Sequence, residues 1–196
     1  MAKLIIPLLV LCLLMFSTTA KQSTPNSRLN FIRASCRTTT YPALCVQCLA
    51  GYAKLIRQSE RQLARTALAV TLSRARSTTA FVAKMTKVKG IKPREYQAVK
   101  DCIENMGDSV DLISESIREI GHMGRPAGPD FVWHMNNVQT WVSAALTDED
   151  TCLDGFSGRV MDGKVKTAIR RRVVNVAQVT SNSLALVNSF ASKHRP

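Results

Sequence analysis

The sequence is poor in the residues from which most catalytic sites are built. It has three histidines: His122 closes a helical segment, His134 lies within one but lacks a metal-ligand partner at the i+4 position, and His194 is in the tail. No histidine lies near a glycine-flanked serine, and the nine glycines form no phosphate-cradling loop. Strand-favouring runs are scarce, and Val173-Val174 falls inside a helical period, so there is little from which to build a sheet. No Asn opens an Asn-x-Ser/Thr sequon, and no segment repeats. These absences leave an enzyme reading little to stand on, imply no cofactor and no metal, and point to a helical protein that acts by binding.

Acid is also scarce, with 14 Asp and Glu against 27 Lys and Arg, a formal net charge of +13. Such a balance attracts polyanions. The N-terminus reads as a targeting segment. Lys3 supplies its positive end, Leu4 to Phe16 is uncharged, and Thr18-Thr19-Ala20 offers small residues for cleavage. A run of 13 residues is too short to cross about 30 Å of hydrocarbon as a helix, and no later segment is apolar enough to span. Residues 1–20 are therefore expected to be a signal peptide, and the mature chain to be exported. Export makes nucleic acid the least fitting of the polyanions.

Two short helical pieces are expected between Ser27 and Ala53, broken by Thr38-Thr39-Thr40-Tyr41-Pro42, with the proline suited to a first helical turn. This places an N-terminal helical hairpin within residues 21–58 and a four-helix bundle within 59–196. The first long helix opens at Ser59-Glu60 and runs to about Lys89, ended by Gly90. The second spans about Pro93 to His122. Its apolar residues Tyr96, Val99, Ile103, Met106, Val110, Ile113, Ile117 and Ile120 alternate steps of three and four, as a buried bundle seam does. The third is expected from about Pro129 to Leu146, and the fourth from about Asp162 to Ser192. Short connections between them favour an all-α, up-down-up-down arrangement.

Cys12 leaves with the signal peptide, so Cys36, Cys45, Cys48, Cys102 and Cys152 remain. An odd number allows at most two intramolecular disulfides and one leftover thiol. Cys36 with Cys45 suits the hairpin, and Cys102 with Cys152 would pin two long helices, leaving Cys48 free. Cys48 in place of Cys45 is the competing arrangement. The Cys45-x-x-Cys48 spacing invites a zinc or redox reading, but the second pair that such a zinc site wants is missing.

Several blocks carry a family resemblance. Phe31-Ile32-Arg33-Ala34-Ser35-Cys36 followed by Tyr41-Pro42-Ala43-Leu44-Cys45 resembles the opening of the plant invertase and pectin methylesterase inhibitor family. Trp141 to Thr147, continuing through Thr151-Cys152-Leu153-Asp154-Gly155-Phe156, resembles its second signature, and Asp101-Cys102 supplies the matching third cysteine. The resemblance implies a disulfide-stabilised four-helix bundle that blocks the substrate groove of its target in a 1:1 complex in the apoplast. Invertase inhibitors of the family resemble one another in a Pro-Lys-Phe motif before the third long helix, where this chain has Pro129-Asp130-Phe131. An aspartate there would meet the paired carboxylates of a glycosidase with like charge, so pectin methylesterase is the expected target and invertase the alternative. Carried over from the matching cysteines, the resemblance implies that Glu104, Asp108, Asp111, Thr151 and Asp154 touch the enzyme. Glu104, Asp108, Asp111 and Glu115 also follow helical steps along one face. In a wall rich in polygalacturonate, the basic remainder would be retained electrostatically, with Arg170-Arg171-Arg172, Lys164 and Lys166 as its basic cluster. A non-inhibitory apoplastic binding module and a membrane-active helical protein are the readings from other classes.

Overall fold

The computed structural model describes residues 24–124, 128 and 130–194. The expected signal peptide, residues 1–20, lies outside them, as do Arg125, Pro126, Ala127 and Pro129. The described residues contain helices and no strand. A small hairpin of α1 (Pro25–Cys36), α2 (Pro42–Leu49) and the single turn α3 (Ala53–Ile56) precedes four long helices. These are α4 (Glu60–Met85), α5 (Pro93–His122), α6 (Phe131–Asp154) and α7 (Lys164–His194). Among the described residues no helix is long and apolar enough to cross a membrane.

Local chemistry sets the helix ends. Thr24 and Ser59 cap α1 and α4 by accepting the N–H of Ser27 and Gln62, each at 3.3 Å. Proline occupies the first turn of α1, α2 and α5. Arg57 and Gln58 take left-handed conformations (φ 50° and 62°), which separates the hairpin from α4. At the far end of α5, the Arg61 guanidinium gathers backbone carbonyls that would otherwise be orphaned, including those of Ile120 (2.6 Å) and Gly124 (3.2 Å).

The long helices close an antiparallel square in which α4 packs on α5 and α7, and α6 packs on α5 and α7. Leu68, Val82, Met106, Ile113, Met135, Val142, Ile169 and Val173 fill its core. A second cluster, including Ile32, Leu49, Ile56, Leu63 and Leu186, seats the hairpin against α4 and α7. Asn182 pins the hairpin turn from both sides, accepting from Tyr41 N–H (2.9 Å) and donating to Tyr41 C=O (3.0 Å).

Three expectations are corrected. First, α4 ends at Met85 rather than near Lys89, where the Thr86 hydroxyl donates to Ala83 C=O (2.8 Å) and the chain turns. Second, α6 does not stop near Leu146. It runs two turns further, so Cys152 is inside it rather than past it. Thr147 and Thr151 looked unhelical, but their hydroxyls fold back onto the carbonyls of Ser143 and Thr147 (3.2 and 2.8 Å). Third, the α5 seam is rotated from the apolar pattern. Val99, Met106, Ile113 and Ile120 are fully buried as expected, but the positions between them are Cys102, Ser109 and Ser116. Ile103, Val110 and Ile117 flank the seam half-buried, and Tyr96 is 43% exposed.

One buried carboxyl crosses this seam. Glu149 of α6 is 0% exposed, and its Oε1 lies 2.8 Å from Ser109 Oγ of α5 and 2.9 Å from Thr180 Oγ1 of α7. Its Oε2 is buried with no hydrogen-bond partner. Thr180 Oγ1 also lies 3.1 Å from Val176 C=O, and a hydroxyl has only one proton to donate. The Thr180 proton is therefore shared between the Glu149 carboxyl and the Val176 carbonyl, and the unpartnered Oε2 makes a negative charge here costly. Burial pushes the Glu149 carboxyl up to about 7, opposed by the Ser109 and Thr180 hydrogen bonds and reinforced by Asp150 and Asp148. Because the folded value is raised, its contribution to stability is full below about pH 4.5 and is lost as pH rises toward and through 7. Denaturant unfolding at pH 5 and pH 8 is expected to show a loss of up to about 3 kcal/mol on this account. Glu149→Gln, which keeps the shape without the titration, should flatten that slope.

Candidate enzyme-contact face

The geometry of the α5–α6 pair starts from small residues. Ala98, Cys102, Ser109 and Ser116 form the inner edge of α5, which lets α6 approach closely. The two helices are joined by a Cys102–Cys152 disulfide with Cα atoms 4.3 Å apart. In the last turn of α5, Glu119 Oε1 meets His134 Nδ1 and Asn137 Nδ2 of α6, each at 2.9 Å. These ties run in opposite chain directions, so the antiparallel register brings Thr151 level with Glu104.

Glu104, Asp108 and Asp111 are all exposed on α5, and Thr151 and Asp154 are exposed on α6 within a turn of the disulfide. At 1.5 Å per residue, Glu104 to Asp111 spans about 10 Å. Glu115 is half-buried and paired with Arg118. Asp148, which spacing alone did not mark, joins the patch across the seam. Burial raises its carboxyl and the nearby charge of Asp108 raises it further. The continuation of α6 past Leu146 carries Asp148 round to the α5 side. The far end of the face carries Trp133, 62% exposed beside His134 with ring centroids 5.0 Å apart. An exposed tryptophan is a common energetic anchor of an interface, and it too was missed. At Glu119 burial raises the carboxyl, but hydrogen bonds from Asn137 and His134, with the charges of His134 and His122, hold it below its usual value.

The remaining candidates fall elsewhere. Cys36 is bonded to Cys45 (Cα–Cα 5.6 Å), and Cys48 is a free, half-buried thiol, so Cys45-x-x-Cys48 is no redox pair. Burial raises the Cys48 thiol, with Arg74 pulling it the other way. Among the described residues no cluster of His, Cys, Asp or Glu is arranged to hold a metal ion. Asp130 is exposed at the start of α6, while Phe131 turns inward edge-on to Phe190 at 5.6 Å; Pro129 lies outside the described residues.

The family model described as "Plant invertase/pectin methylesterase inhibitor" matches residues 30–186. The chain belongs to this family. It is 56% identical over 192 residues to Pectinesterase inhibitor 9 of Arabidopsis thaliana, covering 94% of each chain. It is 51% identical over 183 residues to Pectinesterase inhibitor 11 of the same plant, covering 90% of this chain and 91% of the relative. A 21 kDa protein of Daucus carota is 52% identical over 165 residues, covering 84% and 86%. The fold is that of a pectin methylesterase inhibitor crystal structure from Arabidopsis (mutant form A). The two superpose with a TM-score of 0.62 at 22% identity, over 78% of this chain and 92% of that one. Relatives so named are inhibitors, not enzymes.

The disulfide is the covalent part of this face. Replacing Cys102 and Cys152 by serine opens a loop of 50 residues, and on the chain-entropy model should cost about 4 kcal/mol. Thermal unfolding of the double variant against the intact protein measures this, and a shift of less than about 1 kcal/mol would show that packing alone holds the register.

Proposed function

We propose that this chain is a secreted inhibitor of pectin methylesterase that lays its α5–α6 face over the enzyme's substrate groove in a 1:1 complex. The observation that carries the reading is the 56% identity, across 94% of both chains, to a protein named as a pectinesterase inhibitor. The chemistry of the face supports it. Pectin is a galacturonate chain, so a groove that processes it must accept carboxylates as ester groups are removed. Glu104, Asp108 and Asp111, with Thr151 and Asp154 beside them, present carboxylates and a hydroxyl on a rigid, disulfide-held surface. Preorganised side chains lose little entropy on docking, and complementary charge speeds encounter. Inhibition is by occlusion, and the inhibitor is not consumed. Its working place is the apoplast, where the basic remainder of the surface retains it on pectin.

The test is inhibition of a plant pectin methylesterase and an acid invertase, assayed side by side at apoplastic pH. The expected result is loss of esterase activity near equimolar inhibitor with invertase untouched. Glu104→Lys/Asp111→Lys should weaken esterase inhibition by at least about tenfold, because each reversal puts repulsion where a complementary contact stood. Its helical content should not change, since both residues are exposed. Inhibition of invertase alone would reverse the choice of target, and indifference of the esterase to the double variant would move the contact off this face.

A further inference from the structure

The four long helices are sorted by charge. The neighbours α5 and α6 carry eleven acidic residues and three Lys or Arg, whereas the neighbours α4 and α7 carry eleven Lys or Arg and one acid, Glu60. In a square bundle these pairs form opposite sides, so the molecule has an acidic face and, behind it, a basic one.

The basic side is a shaped trough. Gly163, Lys164, Thr167 and Arg171 line one recess, and Arg171, Arg172 and Asn175 of α7 line the next with Ser73, Arg74 and Ser77 of α4. Arg171 lines both, so the two recesses are neighbours along α7. The guanidinium of Arg172 lies 4.0 Å over the Phe81 ring, with its Nε buried and unpartnered, and Arg74 donates to Asn175 Oδ1. Neutral and aromatic partners therefore orient these cations. Among the described residues no salt bridge reaches Lys164, Arg74, Arg171 or Arg172, whereas Lys166 and Lys193 are paired with Asp162 and Glu60.

The lining selects among polyanions. Serine, threonine and asparagine beside the cations offer hydrogen bonds to sugar hydroxyls. The large exposed apolar side chains, such as Tyr52, Leu55 and Trp133, all lie outside the trough, so it has nothing to insert into a bilayer and no ring on which to stack a base. We infer that the α4–α7 trough is a binding site for de-esterified galacturonan, separate from the α5–α6 face, so that one molecule can hold polymer and esterase at once. The choice of ligand rests on the esterase reading, because removal of methyl esters leaves one carboxylate on each sugar ring. The placement rests on charge and shape alone.

Titration of the full mature chain with polygalacturonate, and with highly methyl-esterified pectin of similar length, tests this. Polygalacturonate should bind at least about tenfold tighter than the esterified polymer, and moderate salt should weaken it. Lys164→Glu/Arg171→Glu, both exposed, should lower that affinity by at least about tenfold. Arg33→Glu/Arg37→Glu, an equal charge change on the exposed hairpin, should lower it far less, and both variants should inhibit the esterase as before. Equal losses in the two variants would overturn the site in favour of diffuse net charge, as would equal affinity for the two polymers. A chain that binds galacturonan through the trough yet inhibits no esterase would leave the site standing and remove the proposed target.

Discussion

The close approach of α5 and α6 is the constraint on which the rest depends. Small residues along α5 let the backbones come near enough for a disulfide whose Cα atoms are 4.3 Å apart. That approach sets the antiparallel register, and the register sets which exposed groups share a face. It also decides that the Glu149 carboxyl is enclosed between Ser109 and Thr180 rather than solvated. Had α5 placed Ile103, Val110 and Ile117 at the centre of the contact, the helices would stand further apart. The bridge would then not close, and Glu149 would lose its Ser109 partner.

Placing two acidic helices side by side costs repulsion, felt directly where Asp108 raises Asp148. Solvent and salt screen most of this at exposed positions. A covalent link inside the same seam holds the helices together against what remains. The opposite arrangement, acidic helices beside basic ones, would give more surface ion pairs, but each is worth little. Segregation instead produces two extended surfaces of opposite sign, a property useful for recognition rather than for stability.

How much was legible depended on which residues carried the signal. The α5 span was plain, because a long apolar pattern between Pro93 and His122 has no other economical reading. Its burial was half plain: Val99, Met106, Ile113 and Ile120 stand out as apolar, whereas Cys102, Ser109 and Ser116 are buried for their size, which hydropathy does not register. The extra turns of α6 were hidden by threonines and acids that look like a loop until their hydroxyls are seen returning to the helix. Trp133 and Asp148 were passed over because nothing in one helix tells which of its residues will stand beside another.

By itself the sequence determined the helical class and the excess of basic charge. These follow from local periodicity and from counting, which need no partner in space. The resemblance of its cysteine blocks pointed further, to the family. Only the tertiary structure decided that α4 neighbours α7 while α5 neighbours α6, and so that the acidic residues form one face and the basic residues another. It also decided that one glutamate of the Thr147-Asp148-Glu149-Asp150 run points inward while the aspartates on either side of it do not. Both are properties of how helices are arranged around a shared core, and the packing that chooses that arrangement is a relation between segments far apart in the chain.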